Sequence, residues 1–168
     1  MKLSQGFAPL ASSAAHTLIL GSMPGTASLE AQQYYAFPRN AFWKIMGDLF
    51  DAGPQMDYPE RLEKLAQNRI ALWDVIAACH RPGSLDSAIR EADLVTNDFG
   101  SFLQRYRHIS RICFNGQKAA SLFMKRVHPG LDGHYEYLTL PSTSPAHASK
   151  NYSQKLEAWS VIKTRNPA

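Results

Sequence analysis

At 168 residues the chain has the length of a single domain. Its 45% hydrophobic and 11% aromatic content supports a packed core and excludes a wholly disordered chain. The net charge of +4, with a pI near 9.1, suits a polyanionic partner without requiring one. No apolar run approaches the roughly 20 residues of a membrane-spanning helix. The segment Met1 to Leu10 lacks the sustained apolar stretch of a secretory signal, so a cytoplasmic location is expected. The two cysteines, Cys79 and Cys113, are too few for a four-cysteine iron–sulfur cluster or zinc site. Both lie in or beside apolar segments and are expected to be reduced and structural, with Cys113 in a strand.

Taken in order, the chain alternates strands and helices. The apolar run Leu18-Ile-Leu20 predicts a buried first strand, roughly His16 to Gly21. A long loop is expected over residues 22–39, punctuated by Pro24 and Gly25. Asn40 stands before a helical pattern that runs to about Asp51 and is broken at Gly53-Pro54. A second helix starts near Asp57-Tyr-Pro-Glu60. Ile70 to Ala77 predicts a strand with one charge, Asp74, inside it. Helical spacing follows at Leu85, Ala88, Ile89 and Ala92, and again from Asn97 to Tyr106. Arg111 to Phe114 predicts the third strand, closed by Asn115-Gly116, with a helix over residues 117–127. Tyr135 to Leu140 predicts the last strand. A polar loop, Pro141 to Ser149, and a helix from Tyr152 to about Thr164 complete the chain. This alternation predicts an α/β fold, a three-layer α/β/α arrangement around a four-stranded parallel sheet, as one domain over residues 1–168. In such a sheet the loops after the strands meet at one rim, where ligands bind. The basic stretch Arg105 to Arg111 is expected to be a solvated helix end.

Those loops carry the unusual residues. Gly21-Ser-Met-Pro-Gly25, an aromatic, and then Pro38-x-Asn40-x-Phe42-Trp43 resemble the uracil-DNA glycosylase superfamily. Leu72-Trp-Asp-Val-Ile76 with Gly83-Ser-Leu-Asp-Ser87, Phe114-Asn-Gly116, and Leu140-Pro-Ser-Thr-Ser-Pro-Ala146 extend the likeness over most of the chain in the right order. The superfamily's usual water-positioning Asn or Asp is replaced here by Met23, which cannot orient water. The branch that lacks this residue, and uses the Asn of Pro-x-Asn-x-Phe-Trp instead, is the hypoxanthine-DNA (deoxyinosine) glycosylase branch. The resemblance implies a uracil-DNA glycosylase-like fold, DNA containing deaminated bases as partner, a monomer, and no metal, iron–sulfur cluster or other cofactor.

The implied reaction is hydrolysis of an N-glycosidic bond after the nucleotide is rotated out of the duplex. Asn40 is expected to hold the attacking water through its amide carbonyl. An N-cap is the alternative reading of Asn40, and it draws on the same side chain. Tyr35 is expected beneath the base as a stacking shelf, with loop packing as the alternative; Tyr34 is the lesser candidate. Asp74 is expected to accept a hydrogen bond from the base edge, or else to pair with Arg81 or cap a loop. Gly21, Ser22 and Met23 are expected to line the substrate pocket. Asn115 is expected to contact the leaving base, or merely to form a turn with Gly116. Ser142, Thr143, Ser144, Pro145, Ala146 and His147 are expected at the DNA, with hydroxyls and N–H groups on phosphates and a wedge after Pro145. Leu140 stands where the superfamily often has His or Asn, which removes histidine assistance to the departing base. A uracil- or mismatch-directed glycosylase, a DNA-damage binding module without chemistry, and a nucleoside hydrolase are the competing functions.

Overall fold

The computed structural model describes residues 2–164. Four parallel strands form the central sheet: β2 (Thr17–Gly21), β3 (Ile70–Asp74), β6 (Arg111–Asn115) and β7 (Glu136–Leu140). Their order is β3-β2-β6-β7. Successive residues in a strand point to opposite faces, and the apolar residues sort accordingly. Leu18, Leu20, Ala71, Trp73, Ile112 and Phe114 share one core with Phe99, Phe102, Leu103, Leu122 and Phe123. Those partners come from α4 (Phe99–Arg105) and α5 (Gln117–Arg126). Ile19, Ile70, Leu72 and Cys113 face the other core, with Phe42, Trp43, Ile45, Met46, Leu65 and Trp159. These belong to α2 (Phe42–Phe50), α3 (Tyr58–Gln67) and α6 (Tyr152–Trp159). The three layers and the four-stranded parallel sheet expected from the alternation are therefore present.

Three expectations need correction. The run Ile70 to Ala77 is two strands in different sheets. After Asp74 the chain leaves the parallel sheet, and β4 (Ile76–His80) pairs antiparallel with β1 (Leu3–Gln5) and β5 (Val95–Thr96). The helical spacing from Leu85 to Ala92 gives two short 3-10 turns, Asp86–Ala88 and Glu91–Asp93, because Ile89 and Leu94 are buried while Leu85 faces solvent. The long loop over 22–39 holds a short helix, α1 (Thr26–Ala31). The N-terminal segment also covers a sheet edge: Leu10 and Leu72 exchange two backbone hydrogen bonds of 2.9 Å. An uncovered edge would invite pairing with another chain.

Candidate active site

The register of the sheet ends its strands together. Gly21 lies opposite Asp74, and Asn115 opposite Leu140. All four line one cleft of about 920 Å³, together with Tyr35, Asn40 and the Pro141 to His147 loop. That volume falls in the roughly 300–1,000 Å³ range of small-ligand sites. Gly21 is needed here for space. A Cβ on it would come within 2.6 Å of Asp74 Oδ1 and 3.0 Å of Tyr35 Oη.

Tyr35 is held in a left-handed conformation, φ 55°, which an L-residue adopts only under constraint. Its neighbours supply that constraint. Tyr34 is buried; its N–H donates to Tyr58 Oη (3.0 Å), its carbonyl accepts Trp43 Nε1–H (2.8 Å), and its hydroxyl donates to the Ala8 carbonyl (2.9 Å). On the other side, the Ala36 N–H donates to Ser28 Oγ (3.1 Å). The Tyr35 ring stacks on Phe42 with centroids 4.0 Å apart and 26° between planes, so it is backed by a rigid ring. Burial, and then the nearby Asp74 charge, push its phenol far above the ordinary range, so it remains a proton donor. The Asn115 side chain is near enough to oppose that rise, yet makes no hydrogen bond of good geometry with Tyr35 Oη.

Asn40 lies just ahead of α2. Its Oδ1 accepts the Phe42 N–H at 2.9 Å, but the N-cap position itself falls to Ala41, one residue later, with no side-chain cap bond. A carbonyl oxygen has two lone pairs, and the Phe42 N–H occupies one. That contact holds the Asn40 side chain at the border of the cleft, and the same oxygen retains a second acceptor position.

Asp74 is 4% exposed, and its Oδ2 has no hydrogen-bond partner among the described residues. Desolvation pushes the carboxyl up to about 7; Arg81 opposes this and Asp86 adds to it. The expected alternative, an ion pair with Arg81, does not form. Arg81 Nη2 donates instead to the Pro24 carbonyl at 2.5 Å. Ser22 Oγ is also engaged, donating to Asp86 Oδ1 at 2.5 Å.

Asn115 faces the Pro141 to His147 loop. Its Oδ1 accepts the Thr143 N–H and its Nδ2 donates to Thr143 Oγ1, both at 2.9 Å. Gly116 takes the left-handed turn, φ 97°, and a Cβ there would stand 3.1 Å from Ser142 Cβ. Three more donors hold the loop. The Ala41 N–H reaches the Thr143 carbonyl (3.0 Å), Trp159 Nε1 the Pro141 carbonyl (2.9 Å), and the buried Lys155 Nζ the Ser144 carbonyl (3.2 Å). Thr143 is therefore no phosphate contact: it is 1% exposed and its hydroxyl is turned to Asn115. Ser142 and Ser144 use their oxygens to accept the N–H groups of Ser144 and Ala146, both at 3.2 Å, which leaves each O–H proton free to donate. His147 contacts Ser149 Oγ at 3.3 Å on the exposed side, and Ala146 is exposed.

A family model described as the uracil DNA glycosylase superfamily matches residues 9–163. This chain belongs to that superfamily. A Methanosarcina acetivorans protein named hypoxanthine DNA glycosylase is 39% identical over 160 residues, covering 93% of this chain and 97% of its own length. A Methanosarcina barkeri protein of the same name is 37% identical over 116 residues, covering 68% of this chain and 72% of its own. A solution NMR structure from Methanosarcina acetivorans, of a protein described as a candidate uracil DNA glycosylase, superposes with a TM-score of 0.79. It is 35% identical and covers 96% of this chain and 98% of that one.

Against the superfamily pattern, the two departures are visible as packing. Met23 is 6% exposed and joins the core containing Trp73 and Ile76, so only a small part of it borders the cleft. Leu140, also 6% exposed, packs with Leu72 and Trp159. Both side chains are buried among apolar neighbours. Three residues that hold the site are not singled out by sequence. Asp86, the partner of Ser22, lies within the Gly83 to Ser87 motif but carries no distinguishing signal there. Lys155 and Trp159 read as ordinary positions of an amphipathic helix. Both cysteines are free and buried, and burial pushes the Cys113 thiol up to about 12. No helix among the described residues is long and apolar enough to cross a membrane.

Proposed function

We propose that this protein excises hypoxanthine from deoxyinosine in DNA and leaves an abasic site in an uncut strand. The observation that carries the reading is the meeting, in one cleft, of an aromatic shelf and an amide from the loop before α2 with a carboxyl from the tip of β3 that has an unpartnered oxygen. The names of its relatives point the same way. The base swings out of the stack and lies on Tyr35, backed by Phe42. Ionised Asp74 accepts the N1–H of hypoxanthine. Adenine has a lone pair at N1 and would be repelled, so the same contact rejects the undamaged base. As the C1′–N9 bond breaks, its electron pair leaves with the base and the sugar gains oxocarbenium character. Asn40 aims a water at C1′; the water oxygen bonds there and its proton passes to solvent, while the departing base takes a proton from solvent. Asn115 is a positioning residue, acting through Thr143 on the loop that meets the DNA backbone. This chemistry calls on no metal or redox group. The reading also carries a cytoplasmic monomer, checked by cell fractionation and light scattering.

The test sets deoxyinosine and deoxyuridine duplexes side by side. Hypoxanthine release is expected, with strand cleavage only after alkali. A preference for uracil would overturn the choice of base. Cleavage without alkali would overturn the hydrolytic mechanism.

A further inference from the structure

Three cationic side chains are buried among the described residues: Arg81, Arg111 and Lys155. Two of them face an opposite charge. Arg111 Nε holds Glu136 Oε2 at 2.8 Å. Arg81 lies close enough to Asp86 and Asp74 to feel both carboxylates. Lys155 is 6% exposed and has no carboxylate partner among the described residues. Its ammonium donates to the Ser144 carbonyl at 3.2 Å. That carbonyl also accepts the His147 N–H at 3.0 Å, so both of its lone pairs are taken.

Burial without a counter-charge costs free energy, and it pushes the Lys155 ammonium below the ordinary lysine range. Neither packing nor the tether requires the charge. The neighbours of Lys155 on α6, Tyr152, Leu156 and Trp159, belong to the second core, and an unbranched apolar side chain would suit position 155. A bond to a carbonyl needs a donor, charged or neutral. What the free protein lacks at this place is an anion. Ser142 and Ser144, on the loop that the ammonium holds, border the cleft and keep O–H protons free to donate. Hydroxyls bind a phosphate but bring no charge of their own. Lys118, at the same rim, is already neutralised by Glu91 at 2.6 Å. Under protein cover the attraction of Lys155 for an anion is screened less than it would be in water.

We propose, resting on the glycosylase function, that Lys155 is the buried counter-charge of a DNA backbone phosphate seated on the Pro141 to His147 loop. It acts through Ser144 and touches no reacting atom, so it is a positioning residue. Counterion release counts such phosphates: each one neutralised adds about 0.9 to the slope of log affinity against log salt. Affinity is therefore measured over a series of KCl concentrations on a duplex carrying a tetrahydrofuran abasic-site analogue, which has no base to release. Lys155→Met and Lys155→Gln are each expected to lose about that much slope and to bind about fivefold or more weakly at low salt. Gln keeps a neutral donor for the Ser144 carbonyl, which separates charge from tether. Free Lys155→Met should melt no lower than the unaltered protein, and should gain less melting temperature from saturating duplex. An unchanged slope in both variants overturns the proposal. So does a slope lost in Lys155→Met and kept in Lys155→Gln, the mark of a tether alone. Either result leaves the glycosylase reading standing, because hypoxanthine release is followed separately on a deoxyinosine duplex. An unaltered protein that binds no duplex overturns both together.

Discussion

Asn40 and Asp74 have separable signatures. Asn40→Ala removes both the contact to the Phe42 N–H and the amide assigned to the water. Turnover is expected to fall about 100-fold or more. Stability should fall by about 1 kcal/mol from the lost hydrogen bond to the Phe42 N–H. Single-turnover rates and thermal melts separate the two effects, and retained affinity for deoxyinosine DNA distinguishes lost chemistry from lost binding. Asp74 makes a pH prediction. Its carboxyl, pushed up to about 7 by burial, holds its proton more tightly in the folded chain than in the unfolded one, whose value is near 3.8. Between those values the folded state carries the extra proton, so stability falls as pH rises through the window and levels off above it. Excision should move the other way, rising through about pH 7 as the carboxylate becomes available to N1–H. Asp74→Asn should remove both slopes, melt higher than the parent at pH 8, and release hypoxanthine about tenfold or more slowly. At this scale the sequence exposed the right residue types: a charge inside an apolar strand and an Asn before a helix are anomalies that invite explanation. What it could not give was the set of partners. That Arg81 binds Pro24 and not Asp74, and that Thr143 is buried, follow from contacts between distant segments.

Among the elements, the Pro141 to His147 loop is the most constrained. Donors from α6, from the start of α2 and from the end of β6 converge on it. Asn115→Ala leaves the Thr143 N–H and hydroxyl without their partners in a buried place. A loss of about 1–3 kcal/mol is expected in chemical denaturation, together with weaker binding to deoxyinosine DNA. A role confined to the leaving base would lower turnover and leave the melting curve in place. Element boundaries were legible where apolar periodicity was long, as in α2, α5 and the central strands. They failed where tertiary pairing decides. The one local mark of the break at Val75 is Asp74, which reads equally well as a charge inside a continuous strand, since Ile70 to Trp73 and Val75 to Ala77 are apolar. The chain stays tied to β2 there, Val75 and Ile76 donating to the carbonyls of Gly21 and Ser22, and changes sheets because β4 pairs with β1 and β5. The strands β1 and β5, of three and two residues, are too short to carry a period at all.

For the molecule as a whole, the N-terminal segment does more than its length suggests. It supplies β1 to the small sheet and, through Leu10, covers the free edge of β3. Removing residues 2–10 should expose that edge, lower the melting temperature by several degrees and raise light scattering on heating. A truncated chain that stays monodisperse with an unaltered melt would show that the edge needs no cover. The fold class could be read from strand–helix alternation because parallel strands demand crossovers. The second sheet could not, being assembled from short pieces far apart in sequence. The aligned strand tips have a further consequence. Strength resides one step back, at Leu20, Trp73 and Phe114, while the terminal positions Asp74 and Asn115 contribute polarity. The pocket floor is therefore uneven in its tolerance: Gly21 and Asn115 are fixed by their neighbours, whereas Asp74 keeps an oxygen with no partner. A new base preference is open to a single exchange at Asp74, with Leu20, Trp73 and Phe114 left in place beneath.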